Sequence, residues 1–186
     1  LLENAVDAGA TTVTVEIQNG GMTFMRVTDN GCGMSREDAE VAFLRHATSK
    51  LQTEADLAAI GTLGFRGEAL AAIAAVSRID LLTSDGGPGV SLRLESGAVI
   101  RREEAGCPQG TTIVVRDLFY NTPARLKFMK RDTAEGAQVH AVVQRQALAN
   151  PAVRYRFLRD GQEVLVTSGD GELYSAIYAV LGRQMA

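Results

Sequence analysis

Thr12-Val13-Thr14-Val15-Glu16-Ile17, then Asn19-Gly20-Gly21, then Met22 to Thr28 running into Asp29-Asn30-Gly31-Cys32-Gly33, is the stretch that decides the fold. Its first segment alternates polar and apolar residues at a period of two, the mark of a strand with one buried face. Asn-Gly-Gly supplies the positive backbone angles of a tight turn, so the second segment returns as a hairpin partner. Upstream, Leu1 to Ala8 is amphipathic and ends at Gly9, as a helix would. Downstream, Ser35 followed by Asp38 predicts a helix start close to the capping-box pattern, leading through Glu40 to about Leu44. The segment from Arg45 to Thr62 has weak periodicity and reads as a mobile connection with one short helix after Thr53.

Glu68 to Val76, rich in Ala and Leu, predicts a buried helix. Strands are expected at Arg78 to Thr83, Val90 to Leu94, Val99 to Glu103 and Thr111 to Leu118, separated by glycine-rich turns. Asp132 to Ala149 has the length of a long helix stopped by Asn150-Pro151. Tyr155 to Thr167 folds back around Asp160-Gly161 as another hairpin, and Leu173 to Leu181 reads as a terminal helix. Helix and strand mix without a regular βαβ alternation. The expected class is therefore α/β, a two-layer sandwich with a mixed, largely antiparallel sheet.

The chain has 186 residues, 46% of them hydrophobic and 22% charged, with a formal net charge of −3. That suits one well-cored domain, and no apolar run approaches membrane-spanning length. It opens inside a helix without an initiator Met, so residue 1 is not expected to be the natural start. Cys32 and Cys107 are far apart in sequence, as are His46 and His140, which argues against a disulfide framework or a zinc site. The net negative charge argues against a chain that coats duplex DNA over its whole surface. Arg125, Lys127, Lys130 and Arg131 nevertheless form a local basic cluster, either a solvated face or a DNA contact.

The chemistry concentrates in Gly64-Phe65-Arg66-Gly67-Glu68-Ala69-Leu70, two close-spaced glycines and a cation just before a helix. Glycines let the backbone approach an anion, and the unpaired amides of a first helical turn point at it, so the run predicts a phosphate grip. No GxxxxGK[ST] motif or dinucleotide spacing is present. Asp29, at a strand end before Gly31 and Gly33, is an acceptor suited to an exocyclic amine such as adenine carries, although Asp-Asn-Gly is also ordinary turn chemistry. Asn4 offers a carboxamide oxygen suited to Mg²⁺, or is simply a polar helix residue facing solvent.

Taken together, Leu2 to Ala10, Asp29 to Met34, His46 to Lys50, Gly64 to Leu70 and Asp117-Leu118-Phe119-Tyr120-Asn121-Thr122-Pro123-Ala124-Arg125 resemble the MutL family of DNA mismatch-repair ATPases. The resemblance is strong to about residue 130 and weaker beyond. Its Asn and Asp-Gly-x-Gly elements are shared with type II topoisomerases, large stress chaperones and sensor kinases.

The resemblance implies an ATP-binding sandwich of the Bergerat type over residues 1–171, with 172–186 as a linker or the opening of a second domain. Asn4 would hold Mg²⁺, Asp29 would receive the adenine amine, Gly31 and Gly33 would floor the base pocket, and Met34 would belong to the nucleotide site. Thr48, Ser49 and Lys50 would belong to a lid. Gly64, Phe65, Arg66, Gly67, Glu68, Ala69 and Leu70 would cradle the phosphates, and Thr111 or Thr112 would support Asp29 and the adenine through water. The family's general base precedes the magnesium Asn by four residues, which here is the position before Leu1, so hydrolysis by this stretch alone is expected to be weak or absent. The resemblance further implies a cytoplasmic protein that forms a nucleotide-dependent homodimer and works with DNA, a mismatch-recognition protein and a downstream nuclease or helicase. The alternatives are a sensor histidine-kinase-like ATP-binding domain and a non-enzymatic DNA or protein interaction module.

Overall fold

In the computed structural model, residues 1–44 and 69–182 are described. The Thr12–Gly33 stretch sits near the middle of the sheet. The short helix α1 (Leu2–Asp7) leads into β1 (Thr12–Gln18), a 3-10 turn at Asn19–Gly21, and β2 (Phe24–Asp29). The turn has φ of 49°, 68° and 92° at Asn19, Gly20 and Gly21, the left-handed backbone that the composition demands. Next come α2 (Arg36–Val41), α3 (Ala69–Ala75), β3 (Arg78–Ser84), β4 (Gly89–Glu95), β5 (Ala98–Ala105) and β6 (Gly110–Arg116). The chain continues through α4 (Pro123–Lys127), α5 (Asp132–Ala149), β7 (Arg154–Arg159), β8 (Gln162–Val166) and α6 (Leu173–Leu181).

The strands form one eight-stranded sheet in the order β5-β4-β3-β6-β2-β1-β7-β8. Every neighbouring pair is antiparallel except β1 with β7, which run parallel from Thr12 opposite Arg154 to Ile17 opposite Arg159. The sandwich expected from the sequence is thus realised, with a mixed and largely antiparallel sheet.

Alternation sets the two faces. On β1, Val13, Val15 and Ile17 are buried, while Thr14 and Glu16 look outward. The buried face packs in two clusters. One joins Val13, Val15 and Ile17 to Tyr155, Phe157, Val143 and Ala147, and the other joins Ile79, Leu81, Leu92, Leu94, Ile113 and Val115 to Ala39, Phe43 and Ala74. Leu1 and Met25 touch both clusters and weld them together. Each fully buried large side chain contributes about 1.5–3 kcal/mol. Burial also pushes the Tyr155 phenol up to about 12.

The outer face is polar and cross-linked by charge. Arg93 and Arg116 both reach Asp80, at 2.7 and 3.2 Å, and Arg26 meets Glu16. Such exposed pairs are worth about 0–1 kcal/mol each and mainly keep this face wet.

Two expectations are corrected at element ends. Helix α2 stops at Val41 rather than near Leu44, because the chain tightens there, with the Leu44 amide donating to the Val41 carbonyl at 2.9 Å. Strand β6 ends at Arg116 rather than Leu118, since Asp117 and Phe119 adopt φ of 51° and 65°, outside any strand geometry. The connection expected at residues 45–62 lies outside the described residues.

Candidate functional site

The candidate site residues converge where β2 and β3 end and β6 begins. Asp29 closes β2 opposite Thr111, and Thr83 closes the inward row of β3, also opposite Thr111. The Asp29 carboxylate accepts from the Gly31 amide at 2.9 Å. Desolvation raises its pKa above the usual carboxylate range, and the amides of Gly31 and Thr111 partly oppose the rise. A carboxylate kept partly dry with few partners is one poised for an external donor.

The glycines are explained by close approach. A Cβ on Gly31 would lie 2.8 Å from both the Cβ and the carbonyl oxygen of Ala8. At Gly33 the φ is +67° and a Cβ would fall 1.8 Å from the Ser84 carbonyl oxygen. No other residue fits there. The loop is therefore clamped between α1 and the ends of β3 and β6, with the Cys32 amide donating to the Ala8 carbonyl at 2.8 Å.

This clamp also orients α1. Asn4 precedes Ala8 by four residues, so both lie on one helix face, and Ala8 is the residue that meets Gly31. Asn4 is exposed, with no side-chain hydrogen bond among the described residues. Its free carboxamide on that face suits a cation that takes few protein ligands and fills its shell with phosphate and water.

The two threonines lie on opposite faces of the sheet. The Thr112 hydroxyl bonds to that of Thr28 at 3.1 Å, on the outer face of the sheet, whereas Thr111 bonds to Thr83 at 3.0 Å on the same side as Asp29. Of the two, Thr111 is the one on the Asp29 side. Met34 joins it there, its amide donating to Thr83 at 3.0 Å. Thr83 itself escaped the sequence reading. Its signal was available: it continues the inward alternation Ile79, Leu81, Thr83, where a hydroxyl is out of place.

Ala69 and Leu70 open α3, with Leu70 packed against the second core cluster. Thr48, Ser49, Lys50, Gly64, Phe65, Arg66, Gly67 and Glu68 lie outside the described residues. The far end of α3 is fastened by the Asp117–Arg125 stretch. The Phe119 amide donates to the Val76 carbonyl at 2.7 Å and the Asn121 side-chain amide to the Ala75 carbonyl at 2.9 Å, and Arg78 stacks on Tyr120 at 4.1 Å.

Beyond that loop, Arg125, Lys127, Lys130 and Arg131 are all exposed and make no ion pair among the described residues. Phe128 between them is 87% exposed. His140 is packed at 5.4 Å against Phe157 with its Nε2 buried, a poor position for a phosphoacceptor, and His46 lies outside the described residues. A cleft of about 450 Å³ lined by Ser168, Tyr174, Ser175, Tyr178 and Ala179 shares no residue with the Asp29 end. Among the described residues no helix is long and apolar enough to cross a membrane, and no cluster of three or more His, Cys, Asp or Glu could hold a metal.

A family model described as "Histidine kinase-, DNA gyrase B-, and HSP90-like ATPase" matches residues 1–116. The chain is similar to the DNA mismatch repair protein MutL of Shouchella clausii, 48% identical over all of this chain and 28% of that protein. It is also 50% identical to MutL of Symbiobacterium thermophilum, over all of this chain and 30% of that protein. The chain thus spans about three tenths of the length of these curated relatives. Among solved structures, the Aquifex aeolicus MutL ATPase domain complexed with ADP superposes with a TM-score of 0.79 at 31% identity, covering 97% of this chain and 65% of that one. The N-terminal domain of a DNA repair protein gives a TM-score of 0.81 at 27% identity, covering 98% and 55%.

Proposed function

Because this chain belongs to the histidine kinase-, DNA gyrase B- and HSP90-like ATPase family, in its MutL branch, we propose that it is the Mg-ATP-binding core of a DNA mismatch-repair protein. The observation that carries this reading is the partly dry Asp29 carboxylate at the end of β2, accepting from the Gly31 amide and lying beside its register partner Thr111. That pair receives the adenine amine, directly and through water. Gly31, Gly33 and Met34 floor the base, Ala69 and Leu70 continue the phosphate grip that Gly64 to Glu68 begin, and Thr48, Ser49 and Lys50 serve as lid.

Magnesium would be held by Asn4, where it would neutralise phosphate charge; the free carboxamide on the Gly31 side of α1 is what supports it. The whole protein would use ATP as a switch, nucleotide ordering the lid and bringing two ATPase domains together, so that mismatch detection is coupled to strand incision or unwinding. Residues 1–171 would form the nucleotide domain and 172–186 lead towards a second. DNA would be met through Arg125, Lys127, Lys130 and Arg131, in a cytoplasmic setting, with a mismatch-recognition protein and a nuclease or helicase as partners.

Calorimetry with a non-hydrolysable ATP analogue, with and without Mg²⁺, tests the reading. Saturable binding strengthened by Mg²⁺ is expected. A folded sample that binds nothing would remove it.

A further inference from the structure

Thr83 is fully buried, at 0% exposure, although it carries a hydroxyl. Three polar groups surround its oxygen. The Met34 amide donates to it at 3.0 Å, it donates to the Gly110 carbonyl at 2.9 Å, and the Thr111 hydroxyl lies 3.0 Å away. A hydroxyl has one proton and two lone pairs. An amide can only donate and a carbonyl can only accept, so the Thr83 proton goes to Gly110. All three contacts are then satisfied in a single arrangement, with Thr111 donating to Thr83. The Thr111 proton is used inside the protein, and the half-buried Thr111 oxygen keeps only lone pairs for whatever lies on its open side.

Beside it stands the carboxylate of Asp29, its partner in register and also an acceptor. The two oxygens form an acceptor-only edge. We propose that Thr83 is a positioning residue for base selectivity: by fixing Thr111 as an acceptor, it makes the site prefer a purine whose 6-position carries a donating amino group over one whose 6-position is a carbonyl. This rests on the nucleotide reading above. A 6-oxo purine would set the lone pairs of its carbonyl where the 6-amino group offers N–H, leaving the acceptor opposite that position unpaired, a mismatch that buried polar sites reject strongly. Thr83 also holds the Met34 amide, and so fixes the loop floor relative to the same edge.

The test compares ATP with GTP, as non-hydrolysable analogues, by equilibrium titration of the wild-type chain and of Thr83→Val, Thr83→Ser and Thr111→Val. The wild type should prefer ATP. Thr83→Val should lower the ATP-to-GTP affinity ratio by about tenfold or more, the equivalent of one hydrogen bond, while Thr83→Ser restores the ratio to within about threefold of wild type. A role confined to packing would lower both affinities together and leave the ratio alone. A folded Thr83→Val with the wild-type ratio overturns the proposal and leaves the nucleotide reading intact. Where Thr83→Val does not fold, Thr111→Val decides: it should lose the same preference, and an unchanged ratio overturns the proposal. Wild-type protein that binds both nucleotides equally overturns it as well, and wild-type protein that is folded but binds neither removes the nucleotide reading along with it.

Discussion

The Asp29 end of the sheet and the basic segment after β6 are built in opposite ways. At the Asp29 end, Thr83 is buried with its hydroxyl fully partnered, Gly33 leaves no room for a Cβ, and Asp29 is held by its own loop. At the other region, Arg125, Lys127, Lys130 and Arg131 stand in solvent around an exposed Phe128, with no ion pairs among the described residues. Fixed and desolvated groups discriminate between ligands. Free surface charges attract by sign and are screened by salt. Selectivity should therefore reside at the first region and salt-tunable affinity at the second.

The sharpest way to break this contrast is Asp29→Asn. Losing the charge and replacing one acceptor oxygen with an NH2 donor should weaken ATP-analogue binding by at least about a hundredfold in calorimetry. The same change should leave the ligand-free protein as stable as wild type or more so at neutral pH. The sign follows from the raised pKa: with the folded value above the unfolded one, ionising Asp29 costs stability above the folded pKa, and that cost fades as pH falls through it and is gone below the unfolded value. Thermal melts of both proteins across that pH window check it, and a clear loss of stability at neutral pH would show that Asp29 is structural.

Gly33→Ala attacks the same region through the backbone. With φ at +67° and a Cβ forced to 1.8 Å from the Ser84 carbonyl oxygen, it should cost about 3 kcal/mol or more in denaturant unfolding. The basic segment should respond more mildly. Arg125→Glu with Lys127→Glu should lower affinity for duplex DNA by about tenfold at low salt and flatten the dependence on salt by about two phosphate contacts. Smallest of all, Phe128→Ala should change stability by no more than about 0.5 kcal/mol, since 87% of the residue is already in solvent.

Much of this contrast was legible in the sequence. Strict alternation from Thr12 to Ile17, the Asn-Gly-Gly turn and the Ser35 start all report local physics, and the structure returns each, including the Asp38 amide donating to the Ser35 hydroxyl at 3.1 Å. The helices Asp132–Ala149 and Leu173–Leu181 fall where periodicity and the Asn-Pro stop put them. Asp29 could be singled out because its neighbours are glycines. What stayed hidden depends on partners distant in sequence. Thr111 could be told from Thr112 only by learning which faces Thr83, and Thr83 mattered only once Met34, Gly110 and Thr111 had been brought around it. Likewise Gly31 is explained by Ala8, across the loop, rather than by the turn it sits in.

The single parallel pairing, β1 against β7, joins residues about 140 positions apart. During synthesis the β1–β2 hairpin leaves the ribosome well before β7, so the flank of β1 that awaits β7 remains an open edge until residues 154–159 have been made. Val13, Val15 and Ile17 cannot complete their cluster with Tyr155 and Phe157 before then. Long-range closure of this kind is slow, and the waiting edge is a place for nascent chains to pair wrongly. A ribosome that pauses before residue 154 would therefore leave this edge unpaired for longer and open to wrong pairing.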